Sequence, residues 1–129
     1  MRIILADNVM SIVMEKGDDD KQFKLITPQS NFSAGCLTFD VITIPCRCKH
    51  CSVKGHIDVF TAVNQSSQRH ILRGELNNQN TWQTIEATLP AGVYRIIFEY
   101  SSYIVESDSM IWLANVSVSS NNCTNPGGQ

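Results

Sequence analysis

The segment VYRIIFEY, residues 93–100, places Tyr94, Ile96, Phe98 and Tyr100 on one side of an extended chain and Arg95 and Glu99 on the other. A repeat of two residues is what a strand with one buried face produces. The same repeat runs through GHIDVFTAV (55–63), with Ile57, Val59 and Val63 in one phase and Asp58 in the other. In GCLTFDVITI (35–44), Leu37, Phe39 and Val41 share a phase, and Ile42 and Ile44 take the opposite one. That switch predicts a bulge or bend near Val41. Further strands are predicted in NVMSIVME, QFKLIT, QRHILRG, WQTIEATL and SMIWLANVSV, separated by turn-like KGDDDK, TPQSNFSAG, NQSS, ELNNQNT and LPAG. No stretch holds apolar residues at helical spacing for more than about two turns. Eight or nine short strands joined by turns predict an all-β antiparallel sandwich of two packed sheets, jelly-roll-like in its winding.

A chain of 129 residues is enough for one such domain, expected over residues 1–123, with 124–129 reading as a C-terminal linker. The net charge of −2 offers no electrostatic footprint for nucleic acid or an anionic membrane. No apolar run approaches the roughly 20 residues of a spanning helix, so no direct membrane insertion is expected. The apolar stretch Ile3–Ala6 is too short for the core of a signal peptide. Asn-X-Ser/Thr triplets at Asn31, Asn64, Asn115 and Asn122 are candidate glycosylation sites and lean towards a secreted setting.

Five cysteines are present, an odd number. Three of them, Cys46, Cys48 and Cys51, fall in the run PCRCKHCSVKGH with His50 and His56. A local disulfide, Cys46–Cys51 or Cys48–Cys51, would staple a loop tip and leave one cysteine over. Cys46–Cys48 would strain the bridge geometry. The competing readings are a zinc site from Cys46, Cys48, Cys51 and a histidine such as His56, and three free thiols. A redox role for CKHC needs a thiolate at a helix N-terminus, which strand-like flanks do not supply.

Several segments in order, CLTFDVITI with GHIDVFTAV, ILRGELNNQNTWQTIEATLPAGVYRIIFEY, and SMIWLANVSVSSNNC, resemble a MAM domain, the module of meprin, neuropilin and mu-type receptor tyrosine phosphatases. The matching positions are Cys36, Leu37, Phe39, Gly55, Ile57, Val59, Trp82, Ile97, Phe98, Glu99 and Cys123, with Leu25 and Pro28 upstream. Three features depart from the pattern. The cysteine-bearing N-terminal segment has no counterpart before Asn8, which leaves a first strand missing or supplied by Arg2–Leu5. Ala114-Asn115 stands where the family carries an Asp pair, which puts a calcium site in doubt. PCRCKHCSVK is an insertion in a loop that is normally short.

The resemblance implies a Cys36–Cys123 disulfide and a non-catalytic adhesion module of a cell-surface or secreted protein, in this chain an ectodomain fragment. Its partner would be a protein, met homophilically or heterophilically, with no cofactor. Loop 45–54, with Arg47, Lys49 and His50, is then the candidate contact, since loop tips commonly carry function.

Nothing in the chain matches a catalytic motif. Asp18, Asp19 and Asp20 could hold calcium but read more simply as a solvated turn. Arg69 and Arg73 are expected to share a face flanking Ile71. Trp82, Trp112, Tyr94, Tyr100 and Tyr103 include the residues a sugar-stacking surface would need, which keeps a carbohydrate-binding module as the alternative. Strand alternation assigns Tyr94, Tyr100 and Trp112 to the core.

Overall fold

Ten strands build the computed structural model, which describes residues 2–6, 9–14, 22–45, 53–64, 66–76, 79–105 and 109–124; side chains are described over 24–44, 54–64, 66–76, 79–101 and 111–124. The strands are β1 (Arg2–Ala6), β2 (Val9–Met14), β3 (Gln22–Ile26), β4 (Ser30–Phe32), β5 (Gly35–Pro45), β6 (Val53–Asn64), β7 (Ser67–Leu76), β8 (Gln83–Leu89), β9 (Gly92–Val105) and β10 (Ser109–Ser119). One sheet, A, runs β1-β2-β10-β5-β8, and the other, B, runs β3-β9-β6-β7, with β4 pairing onto the start of β9. Every pairing is antiparallel. With β1 and β4 set aside, the chain passes between the sheets at each step from β2 to β6 and again from β7 to β10, which is jelly-roll winding.

The core lies where the period-two pattern places it. Leu37, Phe39 and Val41 of β5, Ile85, Ala87 and Leu89 of β8, and Ile111 and Leu113 of β10 face Ile57 and Val59 of β6 and Tyr94, Ile96, Phe98 and Tyr100 of β9. Phe39 and Phe98 join the two sheets edge to face, with centroids 5.2 Å apart. Burial raises the Tyr94 hydroxyl pKa and pushes that of Tyr100 up to about 12.

Several local expectations are corrected. TPQSNFSAG is more than a turn: residues 30–32 form β4, because Phe32 stacks on Tyr94 at 4.8 Å and its backbone pairs along 92–94. Val63 does not join Ile57 and Val59 in the core and is 65% exposed, lying where the β6–β7 register shifts at the strand end. No bulge occurs in β5 near Val41, where pairing with β8 runs unbroken from Gly35 to Val41. The irregularity lies across the ladder in β10, between Ala114 and Ser117, with Asn115 in left-handed backbone at φ 54°. Asparagine tolerates that conformation better than most residues. Residues 2–6 pair with β2 as a strand.

Cys36, at the start of β5, is bonded to Cys123 just past β10. The two strands run close enough there that a Cβ on Gly35 would collide with the Ser119 carbonyl oxygen, so only glycine fits.

Candidate binding faces

The outer face of sheet B centres on Asp58, an outward-pointing residue that is only 3% exposed. Arg73, directly across the ladder on β7, grips it with both arms of its guanidinium: Nε donates to Oδ1 at 2.9 Å and an Nη to Oδ2 at 3.3 Å. His70 Nε2 meets Oδ1 at 2.8 Å and His56 Nε2 lies 3.3 Å from Oδ2. On the other side β9 places Glu99 opposite Asp58, and Lys24 of β3 pairs with that glutamate at 3.6 Å. Burial pushes the Asp58 carboxyl pKa up, but hydrogen bonds from Arg73 and His70 and the cationic charge of Arg73 and His56 outweigh it. The net position is below the ordinary 3.8.

A β-bulge makes this cluster. Val59 pairs with Leu72, yet Phe60 pairs with His70, so Ile71 is the extra residue. Without it, positions 69, 71 and 73 would share a face. With it, His70 and Arg73 reach the same carboxylate, and Arg69, opposite Thr61, turns to the other side. The expected Arg69–Arg73 patch does not exist. The Asp58 cluster went unread in the sequence because it depends on cross-strand register; the one available signal was an acid in the middle of a long apolar strand.

Two hollows of about 510 and 520 Å³ meet at Val63 and Gln68. One is bounded by Arg69 and the turn Pro90–Tyr94, and the other by Ile26, Gln29, Asn64, Arg95 and Ile97. Ile26 is 58% exposed, so this end of sheet B is both apolar and cationic.

On the outer face of sheet A, Ile111 and Leu113 point into the core, so Trp112 points out, correcting its expected core position. It sits across from Ile42, and Trp82, just before β8, lies with its ring 6.2 Å from that of Trp112 at a 47° tilt. The amide of Asn80 donates to the Thr43 carbonyl at 2.8 Å and holds the incoming loop against β5. Trp82 remains 47% exposed, and the shielded indole nitrogen of Trp112 has no partner among the described residues. One step along the strands, Asp40 accepts hydrogen bonds from Thr84 Oγ1 at 2.6 Å and from Asn115 Nδ2 at 2.8 Å. The bulge in β10 delivers Asn115 to that carboxylate.

Asn31, Asn64, Asn115 and Asn122 are all exposed. His56, the histidine considered for zinc, is engaged at Asp58. Among the described residues, the grouping of possible metal ligands is Cys36, Cys123 and Glu86, and the disulfide occupies both sulfurs. Cys46, Arg47, Cys48, Lys49, His50 and Cys51, together with Asp18, Asp19 and Asp20 and the side chain of Tyr103, lie outside the described residues.

No protein-family model matches the chain, and no curated protein does. Solved structures do. A variant of a family 29 carbohydrate-binding module superposes with a TM-score of 0.60 at 14% identity, over 94% of this chain and 72% of that one. Another variant of that module, complexed with cellulohexaose, gives 0.59 at 13%, over 94% and 76%. The K3 cleaved adhesin domain of Lys-gingipain from Porphyromonas gingivalis gives 0.62 at 18%, over 86% and 72%. At such identities the likeness establishes a shared β-sandwich fold.

Proposed function

We propose that this chain is a non-catalytic extracellular binding module of the MAM type, which adheres to a protein partner. The observation that carries the reading is the end of sheet B, where exposed Ile26 and Val63 border two adjoining hollows beside Arg69 and Arg95. Large apolar side chains ringed by fixed charge are the usual makeup of a contact surface. The fold shared with a gingipain adhesin domain and with carbohydrate-binding modules is consistent with a binding role. The cysteine-rich loop 45–54 remains part of the proposed contact on sequence grounds alone.

The test is adhesion of beads carrying the module to each other and to cells, with Ile26→Asp/Val63→Asp as the probe. Adhesion that survives glycosidase treatment of the cells and is lost in the double variant is the expected result. Adhesion unchanged by the double variant would refute the sheet B contact. A second reading, glycan binding, is favoured by one specific observation, the outward Trp82–Trp112 pair beside Asp40.

A further inference from the structure

We infer that the outer face of sheet A is a saccharide site for neutral pyranosides, with Trp82 as the stacking ring and Asp40 as the hydroxyl acceptor. The inference rests on the glycan reading and is independent of protein contact through sheet B.

Three strands supply the parts. Trp82, leading into β8, offers a half-exposed indole, with the ring of Trp112 of β10 beside it and Ile42 of β5 across the ladder from Trp112. An exposed tryptophan on a sheet face leaves a large apolar area in water, and a pyranose ring presents a flat array of C–H groups that covers it without burying a hydroxyl. Asp40 precedes Ile42 by two positions on the same face, so its row lies about 7 Å from the tryptophan row. That is within the reach of one hexose and its ring hydroxyls.

The carboxylate is held for such a role. Thr84 and Asn115, from the strands on either side, each donate one hydrogen bond to a different oxygen of Asp40. A carboxylate can accept about four hydrogen bonds, so two positions remain for ligand hydroxyls. The β10 bulge, with Asn115 in left-handed backbone, is the local irregularity that brings the amide there. Bulges often re-aim a side chain in this way beside a site.

Charge selects the ligand class. Among the described residues, the part of this face formed by β5, β8 and β10 carries two carboxylates, Asp40 and Glu86, and no lysine or arginine; beside the Asn115 amide, its other polar groups include the hydroxyls of Thr38, Thr84 and Ser117. An anionic glycan would meet like charge there, with no cation on those three strands to receive it. A neutral chain meets acceptors and hydroxyls.

The experiment is calorimetric titration of the disulfide-bonded protein with cellohexaose, mannohexaose and hexagalacturonate. A Ser117→Ala background cancels the Asn115 glycosylation triplet and keeps the asparagine side chain. We expect binding of at least one neutral hexaose and none of the uronate. Trp82→Ala and Asp40→Asn should each weaken binding on the order of tenfold without lowering Tm, and Trp82→Phe should recover part of it. Absence of binding to both neutral hexaoses, equal binding of the uronate, or indifference to Trp82→Ala would each overturn the site. Running Val63→Asp in the same titration, and Trp82→Ala in the bead assay, separates this site from the sheet B contact, since each variant should affect only its own face.

Discussion

Replacing Asp58 with asparagine keeps the shape of the side chain and removes the charge on which His56, His70 and Arg73 converge. Arg73 and His70 are about half exposed, so solvent screens each pair to at most about 1 kcal/mol. The better shielded His56 contact is long, at 3.3 Å, and adds less than a short charge-assisted hydrogen bond. Together these make about 2 kcal/mol at neutral pH. With an unfolding entropy of about 2.1 cal/mol/K per residue, that corresponds to a drop of about 7 °C in Tm for a chain of this size.

The pH dependence is the sharper test of the Asp58 cluster. Because the folded carboxyl titrates below its ordinary value, its stabilisation is fully present above about pH 4 and is lost as pH falls through the lower folded pKa. Urea unfolding of both proteins at a series of pH values should therefore show a gap of about 2 kcal/mol at pH 7 and pH 5 that narrows once pH falls below the ordinary carboxyl value and closes only below the lower folded one. A gap of the same size at every pH would mean that Asp58 acts through packing alone, and no gap at pH 7 would mean that the network contributes nothing.

Cys36→Ala/Cys123→Ala opens a loop of 87 residues and, on the chain-entropy account, should lower stability by about 4–5 kcal/mol, read as a shifted urea midpoint with a larger m-value; a shift under about 1 kcal/mol would count against that account. Gly35→Ala drives a Cβ into the Ser119 carbonyl, a backbone atom, and should cost about 3 kcal/mol. Gly74→Ala crowds the Ile85 Cδ1 methyl at 2.8 Å, which can swing aside, and meets Ile57 Cγ2 at an ordinary 3.5 Å, so its cost should be below about 1 kcal/mol, and the reverse order in thermal melts would contradict the packing described. Asn64 borders the apolar hollow, so cancelling its glycosylation triplet with Ser66→Ala should strengthen bead adhesion of protein made in secretory cells; unchanged adhesion would argue for a contact elsewhere.

The buried faces were legible because a half-buried strand writes its orientation into every second residue. Tyr94, Ile96, Phe98 and Tyr100 are the clearest case, and the all-β class followed from repeating that pattern along the chain. What escaped was set by pairing partners. Nothing near QRHILRG announces that Ile71 is an extra residue, and that single insertion decides which of Arg69, His70 and Arg73 share a face. The switch of phase at Val41 and Ile42 reflected two covered faces: Val41 lies in the core, and Ile42 is buried on the outside, across the ladder from Trp112. Trp112 itself was misassigned because alternation reports that a residue belongs to a strand without saying which of two partly apolar faces is the interior. Phe32 was read into a turn because the partner that makes it a strand, the start of β9, lies 60 residues on.

The Cys36–Cys123 bond also determines how this module would respond to tension. A pull entering the chain beyond Cys123 does not peel β10 away strand by strand, because the load crosses the sulfur bridge to Cys36 and arrives at the head of β5, between its neighbours in sheet A. The 87-residue span between the cysteines, about 300 Å if drawn straight, is withheld from extension for as long as the bridge stays oxidised. Both tryptophans and Asp40 lie inside that span, as do Val63, Arg69 and Arg95, so under load the saccharide face would sit wholly in the part of the chain that cannot be stretched, while the sheet B contact would leave Ile26 outside it.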